Sequence, residues 1–145
     1  MCDVVQSDAE GEDRAWTPTN NVKHTEEAMG EITIFARMDV KPENRDKVQA
    51  LAAEGCKVAA DEPGTLSYEW HYSEENASLV LLESYSDSAA HLRHMQAEGH
   101  GEFMGNLMAL IDGLDFYVLG EPTAEHREAV SGVPGAQFYE HLASK

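Results

Sequence analysis

Thr65-Leu66-Ser67-Tyr68-Glu69-Trp70-His71-Tyr72-Ser73, then Glu74-Glu75-Asn76-Ala77, then Ser78-Leu79-Val80-Leu81-Leu82-Glu83-Ser84-Tyr85, reads as two strands folded back on each other. Side chains alternate across a strand, so Leu66, Tyr68, Trp70 and Tyr72 share one face, and Ser67, Glu69 and His71 the other. A connection this short between two apolar runs is the signature of a hairpin.

Turn and periodicity signals flank the hairpin on both sides. Upstream, Asp61-Glu62-Pro63-Gly64 is a strong turn signal. It closes a helix whose apolar positions Val48, Leu51, Ala52, Gly55, Val58 and Ala59 recur at three and four residues. Lys41-Pro42-Glu43-Asn44 opens that helix, with Pro42 near its first turn. Before it, Glu31 to Asp39 is predicted as a strand, with Ile32, Ile34, Ala36 and Met38 on one side and Thr33, Phe35, Arg37 and Asp39 on the other. Downstream, Ser86-Asp87-Ser88 supplies capping residues for a helix through Ala89, Leu92 and Met95 to about Glu98. Gly99 and Gly101 interrupt it, and a second helical segment runs from Glu102 to Ile111. Leu114 to Leu119 is predicted as a fourth strand, Thr123 as the cap of a short helix to about Val130, and Ala136 to His141 as a last short strand.

The order strand, helix, strand, strand, helix, strand is the split βαβ pattern of ferredoxin-like α+β domains. The expected architecture is an antiparallel four-stranded sheet with helices on one face, followed by a short C-terminal helical extension. Apolar residues on both faces of the strands call for something to cover the second face, and a second subunit would do so. A homodimer is therefore expected. The domain is expected over 30–120, with residues 121–145 an extension packing on the domain or on the partner subunit.

Residues 1–29 read differently. Ser7-Asp8-Ala9-Glu10-Gly11-Glu12-Asp13 is acidic and aperiodic, which predicts a disordered acidic tail. Trp16 is its one candidate anchor. Met29-Gly30, at the composition shift, is a candidate start of translation. Across 145 residues, 27 Asp and Glu face 10 Lys and Arg, a formal net charge of -17. Such a surface repels nucleic acid and anionic membranes, so neither is an expected partner. It would also suit a high-salt environment. No signal-peptide pattern and no stretch near the roughly 18 apolar residues of a membrane span is present. With only Cys2 and Cys56, a disulfide framework is not expected. A cytoplasmic protein is the expectation.

Several of these segments, taken in order, resemble the antibiotic-biosynthesis monooxygenase family. Lys41-Pro42, then Glu62-Pro63-Gly64-Thr65-Leu66-Ser67-Tyr68-Glu69, Glu83-Ser84-Tyr85, and Ser86-Asp87-Ser88-Ala89-Ala90-His91-Leu92-Arg93-His94 carry the likeness, over about Glu31 to Gly120. His94 follows the aromatic Tyr85 by nine residues, where that family has a histidine. Tyr85 stands where a tryptophan is usual, and His100 falls slightly later than the family's next histidine. The resemblance implies a dimeric α+β barrel with a cavity between sheet and helices. It also implies a quinol- or anthrone-type oxygenase that acts on a small aromatic molecule without metal or flavin. Haem degradation is not implied, because Ala36 stands where haem-degrading relatives carry an asparagine.

That chemistry needs an aromatic pocket, a base and exclusion of water. Tyr68, Trp70, Tyr85 and Phe103 are candidates for the aromatic wall, and His71 for a contact with substrate or partner. His94 is the candidate base, because its unperturbed pKa of about 6.5 suits neutral pH. Arg37 is the candidate holder of an anionic oxygen. Each has a plainer reading: Tyr68 and Trp70 as core or interface, Arg37 as an ion-pair partner, and Tyr85 as a cap on the core. At about 100° per residue His94 lies roughly 200° from Leu92, so periodicity alone predicts a surface histidine. His91 and His94 are spaced to begin a metal site, but no third ligand follows at a fitting interval, and no metal is expected.

Overall fold

A computed structural model describes residues 30–145; the acidic segment, Trp16 and Met29 lie outside the described residues. The chain folds as an α+β ferredoxin-like unit. Strand β1 (Ile32–Asp39) leads through a single 3-10 turn (Pro42–Asn44) into helix α1 (Arg45–Ala60). The hairpin β2 (Thr65–Ser73) and β3 (Ser78–Tyr85) follows, then helices α2 (Ser88–Gln96) and α3 (His100–Met108) and strand β4 (Gly113–Leu119). Helix α4 (Ala124–Val130) and strand β5 (Ala136–Tyr139) complete the fold.

The sheet order is β2-β3-β1-β4-β5. The expected four antiparallel strands are present, but the sheet is mixed and has five. The last short strand joins it parallel to β4, pairing Phe116 with Ala136 and Leu119 with Tyr139. Parallel neighbours need a crossover, and α4 supplies it.

The alternation in β1 explains the layer structure. Ile32, Ile34, Ala36 and Met38 are buried under the helices, as are Leu79 and Leu81 of β3 and Phe116 and Val118 of β4. Val48 of α1, Ala90 of α2, Leu107 of α3 and Val130 of α4 close the core above them. Full burial of one such aliphatic side chain stabilises the fold by about 1.5–3 kcal/mol. On the opposite face Phe35, Leu82 and Tyr117 are only half-buried, and Leu119 and Tyr139 are exposed.

Local chemistry sets the ends of the elements. The Asp87 carboxylate accepts from the Ala90 backbone N–H at 2.8 Å and caps α2. Thr123 caps α4 by accepting from the His126 N–H at 3.2 Å, and its own N–H donates to Ser88 Oγ at 3.1 Å. That second bond ties the start of α4 to the start of α2. Two expectations are corrected here. A bulge between Thr65 and Ser67 breaks the β2 alternation, so Leu66 turns outward and is 53% exposed. Val58 also departs from the buried stripe of α1 and is exposed.

Candidate functional site

Three elements bring acid, base and aromatic groups together beneath α2. Sheet register places Glu83 of β3 beside Ile34 of β1 and Tyr68 of β2, on the helix-covered face. The turn before β2 contributes Glu62, whose Oε1 accepts from Thr65 Oγ1 at 2.8 Å. Helix α2 contributes His94, with Nδ1 2.8 Å from Glu62 Oε1 and Nε2 3.9 Å from Glu83 Oε1. The imidazole is thus bracketed by two carboxyl groups, one from the turn before β2 and one from β3.

His94 is 8% exposed, which corrects the surface position that helical periodicity predicts. Helix α2 touches α3, α4, β2 and β3. It therefore buries more than one stripe, and a residue opposite Leu92 is also covered. Glu62 accepts at Nδ1 when that nitrogen carries the proton, which leaves Nε2 as a lone pair available for proton abstraction.

Glu83 sits in the driest part of the site. Burial raises its pKa above the ordinary carboxylate range, partly opposed by the Tyr85 hydroxyl and by His94. The Tyr85 O–H donates to Glu83 Oε1. Burial and the neighbouring Glu83 push the phenols of both Tyr68 and Tyr85 far above their usual range, so both stay protonated. His100, 5.0 Å from His94 between ring centroids, has its pKa lowered by burial and by His94.

Two cavities share Tyr68, His94, His100 and Phe103 as walls. The outer one has a volume of about 260 Å³ and opens between α1 and α3, past Leu51, Gly55 and Asn106. The inner one is about 70 Å³ and lies over the sheet, lined by Glu83, His91, Met95, Met104, Leu107 and Phe116 among others. A cavity of about 150 Å³ holds benzene, so the outer space takes a small aromatic ring and the inner one alone does not. Gly55 makes the outer space possible: a Cβ there would stand 2.9 Å from the Tyr68 hydroxyl and 3.1 Å from Phe103 Cζ.

The candidates read from the sequence separate accordingly. Tyr68, His94 and Phe103 line both cavities. Tyr85 is fully buried behind Glu83 and touches neither. Trp70 packs edge-on against Tyr68 at 5.8 Å but faces a separate groove with Arg45, Cys56 and Tyr72. His71 is largely exposed, 3.2 Å from Glu69, and away from the cavities. Arg37 is corrected outright: it projects from the opposite face of β1 and pairs with Asp39 at 2.9 Å and Asp115 at 3.8 Å. It cannot reach the chamber, because the sheet lies between them. Glu62 and Glu83 carry no chemical assignment from the sequence, and His91 figures there only as a metal ligand that lacks a third partner. For Glu83 the one signal is a charged residue at an inward position of a strand, and for Glu62 a charged residue in the turn before one.

The family description "Antibiotic biosynthesis monooxygenase" matches residues 31–106. Among solved structures, Rv0793 from Mycobacterium tuberculosis is 23% identical, with a TM-score of 0.58, over 63% of this chain and 94% of that one. MupZ from Pseudomonas fluorescens is 18% identical, with a TM-score of 0.66, over 80% of this chain and 93% of that one. A conserved protein from Methanosarcina mazei is 21% identical, with a TM-score of 0.58, over 65% of this chain and 95% of that one. These likenesses carry the fold. No curated protein sequence matches significantly. The family match covers just over half of the chain and contains β1 through most of α3, including Glu62, Tyr68, Glu83 and His94. The chain belongs to the antibiotic biosynthesis monooxygenase family.

Proposed function

We propose that this protein is a monooxygenase that oxidises a small aromatic or quinol-type substrate with O2, using its own side chains rather than a metal or flavin. The observation that carries this reading is the placement of His94 between Glu62 and Glu83 on the wall of an aromatic cavity. Glu62 orients the imidazole, and Nε2 takes the proton of an acidic hydroxyl or an activated C–H. The resulting anion is electron-rich enough to give an electron to O2 beside the aromatic walls of the chamber. For an anthrone-type CH2, one oxygen atom ends on the ring carbon. The other leaves as water with the two hydrogens. Tyr68 and Phe103 supply the faces against which the ring stacks.

The protein works as a homodimer in this reading. Phe35 and Tyr117 stack at 5.9 Å on the outer sheet face, beside Leu82, Leu119 and Tyr139. A patch of this kind is costly to leave in water, and a second copy of the same sheet covers it by twofold symmetry.

The apolar lining and small volume of the inner cavity favour one other reading, a ligand-binding relative without turnover. Oxygen uptake with a panel of hydroquinones and anthrones decides between them. Saturable uptake well above autoxidation is expected. Saturable binding of the same compounds with uptake no faster than buffer would establish the second reading instead.

A further inference from the structure

Two buried imidazoles remain once the Glu62, His94 and Glu83 line is accounted for. His91 of α2 is 2% exposed and His126 of α4 is fully buried. His91 Nδ1 lies 2.8 Å from His126 Nε2. His126 belongs to the C-terminal extension, beyond the residues 31–106 that match the family.

The direction of that hydrogen bond follows from what lies on the far sides of the two rings. If His91 were the donor, the proton of neutral His126 would sit on its Nδ1. That atom is buried and has no partner among the described residues. If His126 donates from Nε2, its Nδ1 is a bare lone pair, and the proton of His91 sits on Nε2. A buried N–H without an acceptor is the rarer arrangement, because it forfeits its full solvation for nothing in return. Both rings are neutral, since burial lowers the pKa of each and that of His91 falls to about 2. The His91 ring is further held by stacking on Tyr85 at 4.5 Å and 28°. It lines the inner chamber together with Glu83 and His94, and Nε2 has no hydrogen-bond partner among the described residues yet is not sealed off as His126 Nδ1 is.

We propose that His126 fixes His91 as its Nε2–H tautomer, a neutral donor in the inner chamber that holds a phenol- or enol-type oxygen of the substrate as negative charge builds on it. His126 is a positioning residue, because it acts only through His91. The proton taken from the substrate goes to His94 Nε2; His91 shares its proton in a hydrogen bond and does not transfer it. A neutral donor suits this task, since it stabilises the anion without competing with His94 for the proton. The substrate ring then lies in the outer cavity with its oxygen reaching inward. The proposal deepens the oxygenase reading and rests on it for the identity of the bound oxygen.

The test begins without substrate. Long-range proton–nitrogen correlation spectra of the full chain with labelled histidines report the tautomer of each ring. His91 is expected with a protonated Nε2 and a bare Nδ1, and His126 likewise with a protonated Nε2. A proton on His91 Nδ1 would overturn the proposal whether or not the protein is an oxygenase. In the His126→Gln variant the amide still donates, so the His91 pattern is retained; in His126→Leu it is lost. If His126→Leu fails to fold, the wild-type spectrum decides alone. The probe 4-nitrophenol then tests the chamber. His91→Phe is expected to weaken binding of its anion about tenfold or more, one charge-assisted hydrogen bond, while affinity for the neutral phenol changes little. Equal loss for both forms would overturn the oxygen-holding role and leave oxygen uptake as a separate question.

Discussion

The two faces of this sheet are built from the same strands and treat charge in opposite ways. On the outer face Arg37, Asp39 and Asp115 form an ion-pair cluster with half-exposed side chains. Water screens such pairs, so they contribute roughly 0–1 kcal/mol. On the inner face Glu83 is buried beside Tyr85 and His94, with no lysine or arginine paired to it among the described residues. Its charge is costly there, and burial raises its pKa above the ordinary carboxylate range. One alternating strand pattern can therefore hold an inert charge on one side and a tuned one on the other. Depth, rather than residue type, separates them.

Four measurements put that contrast to the test. The largest effect is expected from His94→Ala, which removes the one imidazole set between two carboxyl groups. Oxygen uptake with a reactive hydroquinone should fall by about 10²–10⁴-fold with the fold intact by circular dichroism. Retention of wild-type turnover would move the base elsewhere. Next is Leu82→Asp on the outer face. Sedimentation should show the dimer dissociating to a 16.0 kDa protomer at concentrations where the wild type stays paired. A wild type that is monomeric throughout would sink the expectation that a second subunit covers this face.

The third concerns pH. Because the Glu83 pKa is raised in the fold, the native state keeps a proton that the unfolded chain releases above about pH 4.3. Stability tied to Glu83 is therefore full below that pH and falls as pH rises toward the raised native value. Glu83→Gln has no proton to lose. Its melting temperature relative to wild type should climb between pH 4 and pH 7, whereas a constant difference would mean that Glu83 ionises normally. The smallest effect belongs to Arg37→Ala. Stability should change by no more than about 0.5 kcal/mol and oxygen uptake not at all. Loss of uptake would mean that the outer face reaches the chemistry.

How much of this was legible in the sequence depends on which signal is asked for. Strand alternation in Ile32-Thr33-Ile34-Phe35-Ala36-Arg37-Met38-Asp39 specifies the buried face residue by residue, because period two has only two outcomes. The caps Asp87 and Thr123 were equally readable, since each side chain bonds the backbone three residues on. His94 was not readable from its helix. Periodicity supposes one buried stripe, and α2 has neighbours on several sides that are far away in sequence. Its position in the family pattern pointed inward when its helical angle pointed outward. Glu83 went unassigned, because the continuous apolar run Leu79 to Leu82 before it has no alternation to say which face of that strand is inward. The His91 and His126 pair needed the fold, because 35 residues separate its members. Leu66 was misplaced by a bulge whose extra residue leaves no mark in the alternation.

The parallel pairing of β5 has a consequence for how such a domain can be extended. A four-stranded sheet would end at β4, a seven-residue strand with an unpaired row of amides and carbonyls. Nascent or crowded chains meet along such rows and zip together. The appended β5 moves that liability onto four residues, and both its neighbour and its crossover helix are drawn from the same short stretch of chain. The turn at Gly120, with φ of 122° and a would-be Cβ 2.8 Å from the Glu31 carbonyl oxygen, admits no other residue without rebuilding the junction. An addition made at this point thus works as a stopper against self-templating as well as a carrier of one buried histidine. Removing it would trade a quiet border for a sticky one before any chemistry was measured.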